Sequence, residues 1–169
     1  MPLTLRFLAL AALLPLCACG DRESVAPEPG EPSFYRSLAA PGARVDARAA
    51  REMISLYRRN NGLSALALDD TLQEAAQSQA DAMAGANSLD HNVRGTLDKR
   101  LTARGLKSAS AAENVSAGYH TLAEAFSGWR QSPPHNRNLL MKGATRMGIA
   151  TAYAPGTRYR VYWALILAD

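Results

Sequence analysis

The tightest constraint on the fold is a change of hydrophobic period near the carboxyl end. From Arg146 onward, Met147, Ile149, Thr151 and Tyr153 alternate with small residues. Pro155-Gly156 follows as a turn signal, and Tyr159, Val161, Trp163, Leu165 and Leu167 then alternate again. Two period-two runs joined by a turn predict an antiparallel hairpin. Ile166 breaks the second alternation, so the end of that strand is expected to be buried on both faces. Upstream the period is helical. In residues 48–60, Ala49, Met53, Leu56 and Tyr57 form one stripe, with Arg51, Arg58 and Arg59 off it and Asp46 as N-cap. A second helix opens on a Thr71/Glu74 capping box, carries Leu72, Ala75, Ala76, Ala80 and Met83 on its apolar face, and stops at Gly85. Thr96 begins a short third helix that ends at Gly105. Helices followed by a hairpin predict an α+β fold with an antiparallel sheet.

The chemistry concentrates in residues 113–140. Glu113, Val115 and Ala117 share one face of a predicted short strand. Thr121 and Glu124 form another capping box, which explains Glu124 fully. Leu122, Ala125, Phe126 and Trp129 make an apolar helical stripe, and Ser132 with Pro133 starts a further short helix holding His135 in its first turn. His91 lies earlier, in the polar stretch Ser88-Leu89-Asp90-His91-Asn92, and His120 is expected to face solvent.

The amino terminus reads as an address. Arg6 precedes an apolar run from Phe7 to Leu16, too short to span a bilayer comfortably and of the size of a signal-peptide core. Leu16-Cys17-Ala18-Cys19 resembles a bacterial lipobox, which implies cleavage before Cys19 and lipid on its sulfur. Gly20 follows where inner-membrane retention would use aspartate, so an outer-membrane lipoprotein is expected. A secreted or periplasmic product of an ordinary signal is the alternative. Residues 20–45, with Pro27, Pro29, Pro32 and Pro41, read as a tether that holds the domain roughly 30 Å or more from the membrane. The domain is then 46–169. Cys17 and Cys19 are the only cysteines, so no disulfide can staple it. The formal charge of +4 is mild, and the arginines are scattered without interleaved aromatics, which argues against nucleic acid as a partner.

In chain order stand His91, then Ala-Glu113-Asn114-Val, then Trp129-x-x-Ser132-x-x-His135-x-x-Asn138-Leu-Leu, then Met147-Gly148-Ile149. This set resembles the CAP superfamily (SCP/PR-1-like) in its compact bacterial form, over about 46–169. The resemblance implies a three-layer α-β-α sandwich with a central antiparallel sheet and a cleft lined by two histidines and two acids. His91, Glu113 and His135 match three of the four. Ser132 stands where the second acid belongs, three residues after Trp129.

Two function classes follow. In one, the domain is a non-catalytic binding module on the envelope, holding a lipid, a small apolar ligand or a protein partner through the cleft. In the other, it is a weak metal-assisted hydrolase using His91, Glu113 and His135. A divalent cation such as zinc would then bind His91 and His135 weakly, since a catalytic zinc usually has three protein ligands. The first reading requires no cofactor. Glu113 is a candidate general base, or else the partner of a histidine or of backbone N–H groups. The missing second acid favours binding over catalysis.

Overall fold

The computed structural model describes residues 30–106 and 110–169. The predicted signal peptide 1–19, Cys19 and the tether up to residue 29 lie outside them. The elements are α1 (Ala47–Asn60), β1 (Ala67–Leu68), α2 (Asp70–Ala86), α3 (Leu97–Thr102), β2 (Ala111–Ala117), α4 (Leu122–Gln131), α5 (Pro133–Leu139), β3 (Arg146–Ala154) and β4 (Arg160–Ala168). The sheet order is β1-β3-β4-β2. The β3–β4 and β2–β4 pairs are antiparallel, as expected, whereas β1 adds two residues parallel to β3. Two residues are too few to show a hydrophobic period, so sequence reading found no strand there.

The sheet is the middle of three layers. On one side α2 and α3 pack Leu72, Ala75, Ala76, Ala80, Met83 and Leu101 against Ala150, Tyr162, Ala164 and Ile166. On the other, α1, α4 and α5 pack Ile54, Leu122, Ala125, Trp129 and Leu139 against Met147, Ile149, Trp163, Leu165 and Leu167. Period-two alternation in β3 and β4 feeds both cores at once. Ile166 is fully buried on the α2 side, so β4 does bury both faces. The small residues of β3 lie where α2 comes closest. A Cβ on Gly148 would collide with the backbone of Leu72 and Gln73. Gly148→Ala should therefore destabilise the domain by about 1–3 kcal/mol, the usual cost of overpacking a core. Chemical denaturation measures it, and an unchanged midpoint would refute the close approach.

Local signals set several boundaries. Asp46 caps α1, accepting from the Arg48 and Ala49 N–H groups, and Thr121 and Glu124 close a full capping box on α4. Thr157 N–H bonds Ala154 C=O around Pro155-Gly156, closing the predicted turn. The expected start of α2 at Thr71 is corrected to an Asp69 N-cap. Asp69 N–H pairs with Met147 C=O, which holds that residue extended and lets the helix begin at once. Its end moves from Gly85 to Asn87, in the left-handed region at φ 47°.

The stripe of α1 is also corrected. The fully buried line is Ala50, Ile54 and Arg58, at i, i+4 and i+8, while Leu56 is exposed. Arg58 tolerates burial because its guanidinium donates to Ser64, Leu139, Met141 and Ala144 carbonyls at 2.9–3.0 Å. No free tether is seen over residues 30–45. Ser33–Tyr35 form a 3-10 turn, Leu38 is buried and donates its N–H to His120 C=O, and Phe34, Ala39, Ala43 and Val45 pack on the core. Proline density hid these apolar side chains, which find partners only across the chain.

Side-chain amides bind main-chain groups on both outer margins of the sheet. Beyond β1, Gln73 bonds both the N–H and C=O of Ile149, and Gln77 bonds Thr151 C=O. On β2, Asn138 Nδ2 donates to Glu113 C=O at 3.0 Å.

Candidate functional site

Neighbouring residues of a strand point to opposite faces, and β2 uses this to divide Glu113 from Asn114. Glu113 pairs across the ladder with Ile166, on the α2 side of the sheet, and Asn114 with Leu165, on the α1 side. The cleft therefore straddles the margin of the sheet, with one half supplied by each outer layer.

On the α2 side, His91 sits in the turn between α2 and α3. Its Nδ1 is 2.9 Å from Glu113 Oε1. The other carboxylate oxygen, Oε2, accepts from Arg100 at 2.7 Å. Glu113 and Arg100 are both buried, while the His91 side chain is 52% exposed, so the dyad opens outward through the imidazole. Arg100 also donates to His91 C=O and Gly95 C=O, and Gln79 donates to Asp90 C=O and His91 C=O. These bonds fix the turn as well as the ring. With Nδ1–H facing the carboxylate, Nε2 is the nitrogen left to meet a partner.

On the α1 side, Asn114 Nδ2 donates to His135 C=O at 3.0 Å, and Asn138 donates to Asn114 Oδ1 at 2.9 Å. The two asparagines pin α5, and with it His135, against β2. Ser132 is the N-cap of α5 by position, but its side chain makes no cap hydrogen bond, contrary to expectation. The structure thus joins His91 to Glu113 directly, and sets His135 close enough to His91 to feel its charge. His120 stands apart, half-buried by the start of α4 rather than solvent-facing, its N–H bonded to Glu124.

Of the alternatives for Glu113, the structure shows the partner of a histidine, and that histidine is His91; among the described residues no hydrogen bond joins His135 to Glu113. Arg100 takes the place opposite His91. Arg100, Gln79 and Asn138 are the residues that sequence reading missed. Asn138 lay within the quoted motif, three residues after His135 on one helix face, and that spacing was its signal. Arg100 had none, since its partner is thirteen residues away on another element.

The electrostatics of the two imidazoles diverge. The Glu113 hydrogen bond raises the His91 pKa above its usual 6.5, burial opposes this, the Glu113 and Asp90 charges add to it, and Arg100 subtracts. Burial lowers that of His135, and repulsion from His91 lowers it further. His91 therefore contributes stability that is present below about pH 6.5 and lost as pH rises through its folded-state value. His135 destabilises the fold as pH falls below about 6.5, where the unfolded chain takes up a proton that the native site resists. In NMR titration, His91 should lose its proton at higher pH than His135, and Glu113→Gln should bring His91 down. His91 titrating below His135 would refute the dyad.

These residues do not fit a firmly held metal. Among the described residues, no three or more His, Cys, Asp or Glu side chains are grouped to hold one. Both oxygens of Glu113 are engaged, which leaves two imidazoles.

A profile of the CAP family, described as the cysteine-rich secretory protein family, matches residues 51–167. No cysteine lies in that span. The uncharacterized protein YkwD of Bacillus subtilis is 28% identical over 100 residues, covering 58% of this chain and 39% of its own length. The chain thus spans about two fifths of that curated relative. Among solved structures, an extracellular SCP-domain protein from Bacillus anthracis superposes with TM-score 0.64 at 23% identity, over 73% of this chain and 40% of that one. An outer surface protein of Borrelia burgdorferi gives 0.66 at 20% identity, over 72% and 90%. At these identities the structures speak for the fold alone.

Proposed function

Because this chain belongs to the CAP, or cysteine-rich secretory protein, family, we propose that it is a non-catalytic binding module of the bacterial cell envelope. It holds a lipid, a small apolar ligand or a protein partner at the cleft of His91, Glu113, Ser132 and His135. One observation carries this reading: both oxygens of Glu113 are already engaged, by His91 and Arg100. A general base must reach the substrate's proton, and the Glu113 side chain, 2% exposed behind His91 and Arg100, does not. Among the described residues no hydrogen bond joins Ser132 to a histidine, so it lacks the activating base of a nucleophile. What faces outward is the His91 imidazole, and among the described residues no serine, threonine or cysteine side chain is hydrogen-bonded to it as an activated nucleophile would be.

Envelope placement rests on the lipobox-like Leu16-Cys17-Ala18-Cys19 and on relatives named as extracellular or outer-surface proteins. Among the described residues no helix is long and apolar enough to cross a membrane. The outer membrane is the expected site, with lipid on Cys19. Cys19→Ser should release the protein from membranes or block its processing.

The test of function has two arms. Titration with envelope lipid in micelles should shift the His91 and His135 ring signals and leave His120 in place. Assays with model esters and peptides, with and without Zn²⁺, should show no turnover. Turnover that His91→Ala and His135→Ala abolish would replace binding by the second reading, a weak metal-assisted hydrolase. That reading is favoured by the outward Nε2 of His91 with Glu113 behind it, an arrangement found behind metal-bound histidines. Zn²⁺ binding, if saturable, should be weak, spared by His120→Ala, and weakened as acid protonates the rings.

A further inference from the structure

We propose that the face formed by the Ser33–Tyr35 turn and the outward side of α1 docks on an anionic lipid bilayer. This rests on the reading of Cys19 as the lipid anchor and adds the orientation in which the anchored domain lies.

Residues 33–45 are strapped to the α1/α4 layer, with Leu38 buried in it. Only the stretch from Cys19 to Gly30 separates the anchor from the domain, a covalent reach of at most about 40 Å. That reach is enough to bring the face at Gly30 onto the bilayer while Cys19 stays anchored.

Pro32, Phe34, Met53 and Leu56 line an open groove of about 770 Å³, with Arg48 and Arg59 on its walls. Four large hydrophobic side chains are exposed among the described residues, and the two most exposed, Tyr35 at 55% and Leu56 at 53%, are here. Leu68 and Leu89 lie elsewhere. The charge complements an anionic surface. Arg36, Arg48 and Arg59 are exposed and in no ion pair among the described residues. Of the acids nearby, Asp46 is occupied at the helix N-terminus and Glu52 with Arg51, and Glu31, beside Pro32, offsets one of these three arginines. Long arginine side chains reach headgroups while apolar neighbours sit at the interface. In this pose the other outer layer, with the exposed ring of His91, is turned away from the bilayer.

The chain's cysteine content makes a direct test possible. After Cys19 no thiol occurs, so Leu56→Cys and Leu89→Cys each give one labelling site in the lipidated full chain. Each is labelled with a polarity-sensitive fluorophore and reconstituted on phosphatidylcholine vesicles with and without phosphatidylglycerol. Thermal melts first confirm that both variants fold. On vesicles with phosphatidylglycerol, the Leu56 label should shift to the blue and lose several-fold of its quenching by aqueous iodide, while the Leu89 label stays wet. Adding Arg48→Glu with Arg59→Glu should restore quenching without changing flotation. Floated protein in which both labels quench equally would overturn the docking face and leave the anchor standing. Protein that fails to float would overturn the anchor, and the docking face with it.

Discussion

Arg58→Ala should remove a large part of the domain's folding stability. The side chain is fully buried and satisfies four carbonyls: Ser64, which follows α1, Leu139 at the end of α5, and Met141 and Ala144 beyond it. Its truncation takes the guanidinium from those acceptors, of which Ala144 C=O keeps only a long bond from Ser64 Oγ at 3.4 Å, at about 1–3 kcal/mol for each one left unpaired, and opens a cavity as well. The sum is on the order of 5 kcal/mol or more, against a typical total of about 5–15. An opposing term exists, because burial lowers the Arg58 pKa and so disfavours its charge. That cost is already present in the native state, and the positive end lies at the C-terminus of α5, where a cation is favoured. Arg58→Lys should recover part of the loss with its three donors. Urea denaturation decides the matter, and a loss below about 1 kcal/mol would mean that water serves those carbonyls equally well.

Trp129→Ala should cost about 3–5 kcal/mol, the range for deleting a large aromatic from a core. Trp129 is 1% exposed and meets Trp163 edge to face, with ring centroids 6.1 Å apart and planes at 88°. Such a pair contributes beyond its buried area. Trp163 is held in turn by its Nε1–H bond to Tyr119 C=O. Trp129→Phe should lose less than the alanine variant, since a ring would still face Trp163. If the alanine variant lost under about 1 kcal/mol, the α4 face would not be seated on the sheet as described.

What could be read from the sequence was what local chemistry decides. The Asp46 cap, the Thr121/Glu124 box and the β3–β4 alternation depend on residues a few positions apart, and all appear in the structure. Arg58 shows where such reading ends. Placing it off the apolar stripe follows its side-chain type, but carbonyls 81–86 residues away make its burial tolerable. The strap over 30–45 was hidden in the same way, since Leu38 reads as a lone apolar residue until His120 and the α1/α4 core are beside it. In the cleft, His91, Glu113 and His135 were legible as residue types in order. Their division of labour was not, because Arg100 decides which group Glu113 holds and which atom of His91 is left outward.

The side-chain amides on the sheet margins set a limit on how this protein can meet other chains. Strand addition needs a run of free main-chain N–H and C=O groups along which an extended peptide can zip. On one side Gln73 and Gln77 already occupy Ile149 and Thr151, and on the other Asn138 occupies Glu113. Many copies crowded on one membrane would otherwise present each other with templates for edge-to-edge pairing. Here three glutamine and asparagine side chains already hold part of those margins, which shortens the run open to such pairing. A peptide partner therefore meets main-chain groups already taken at Ile149, Thr151 and Glu113, and its side chains must supply more of the recognition.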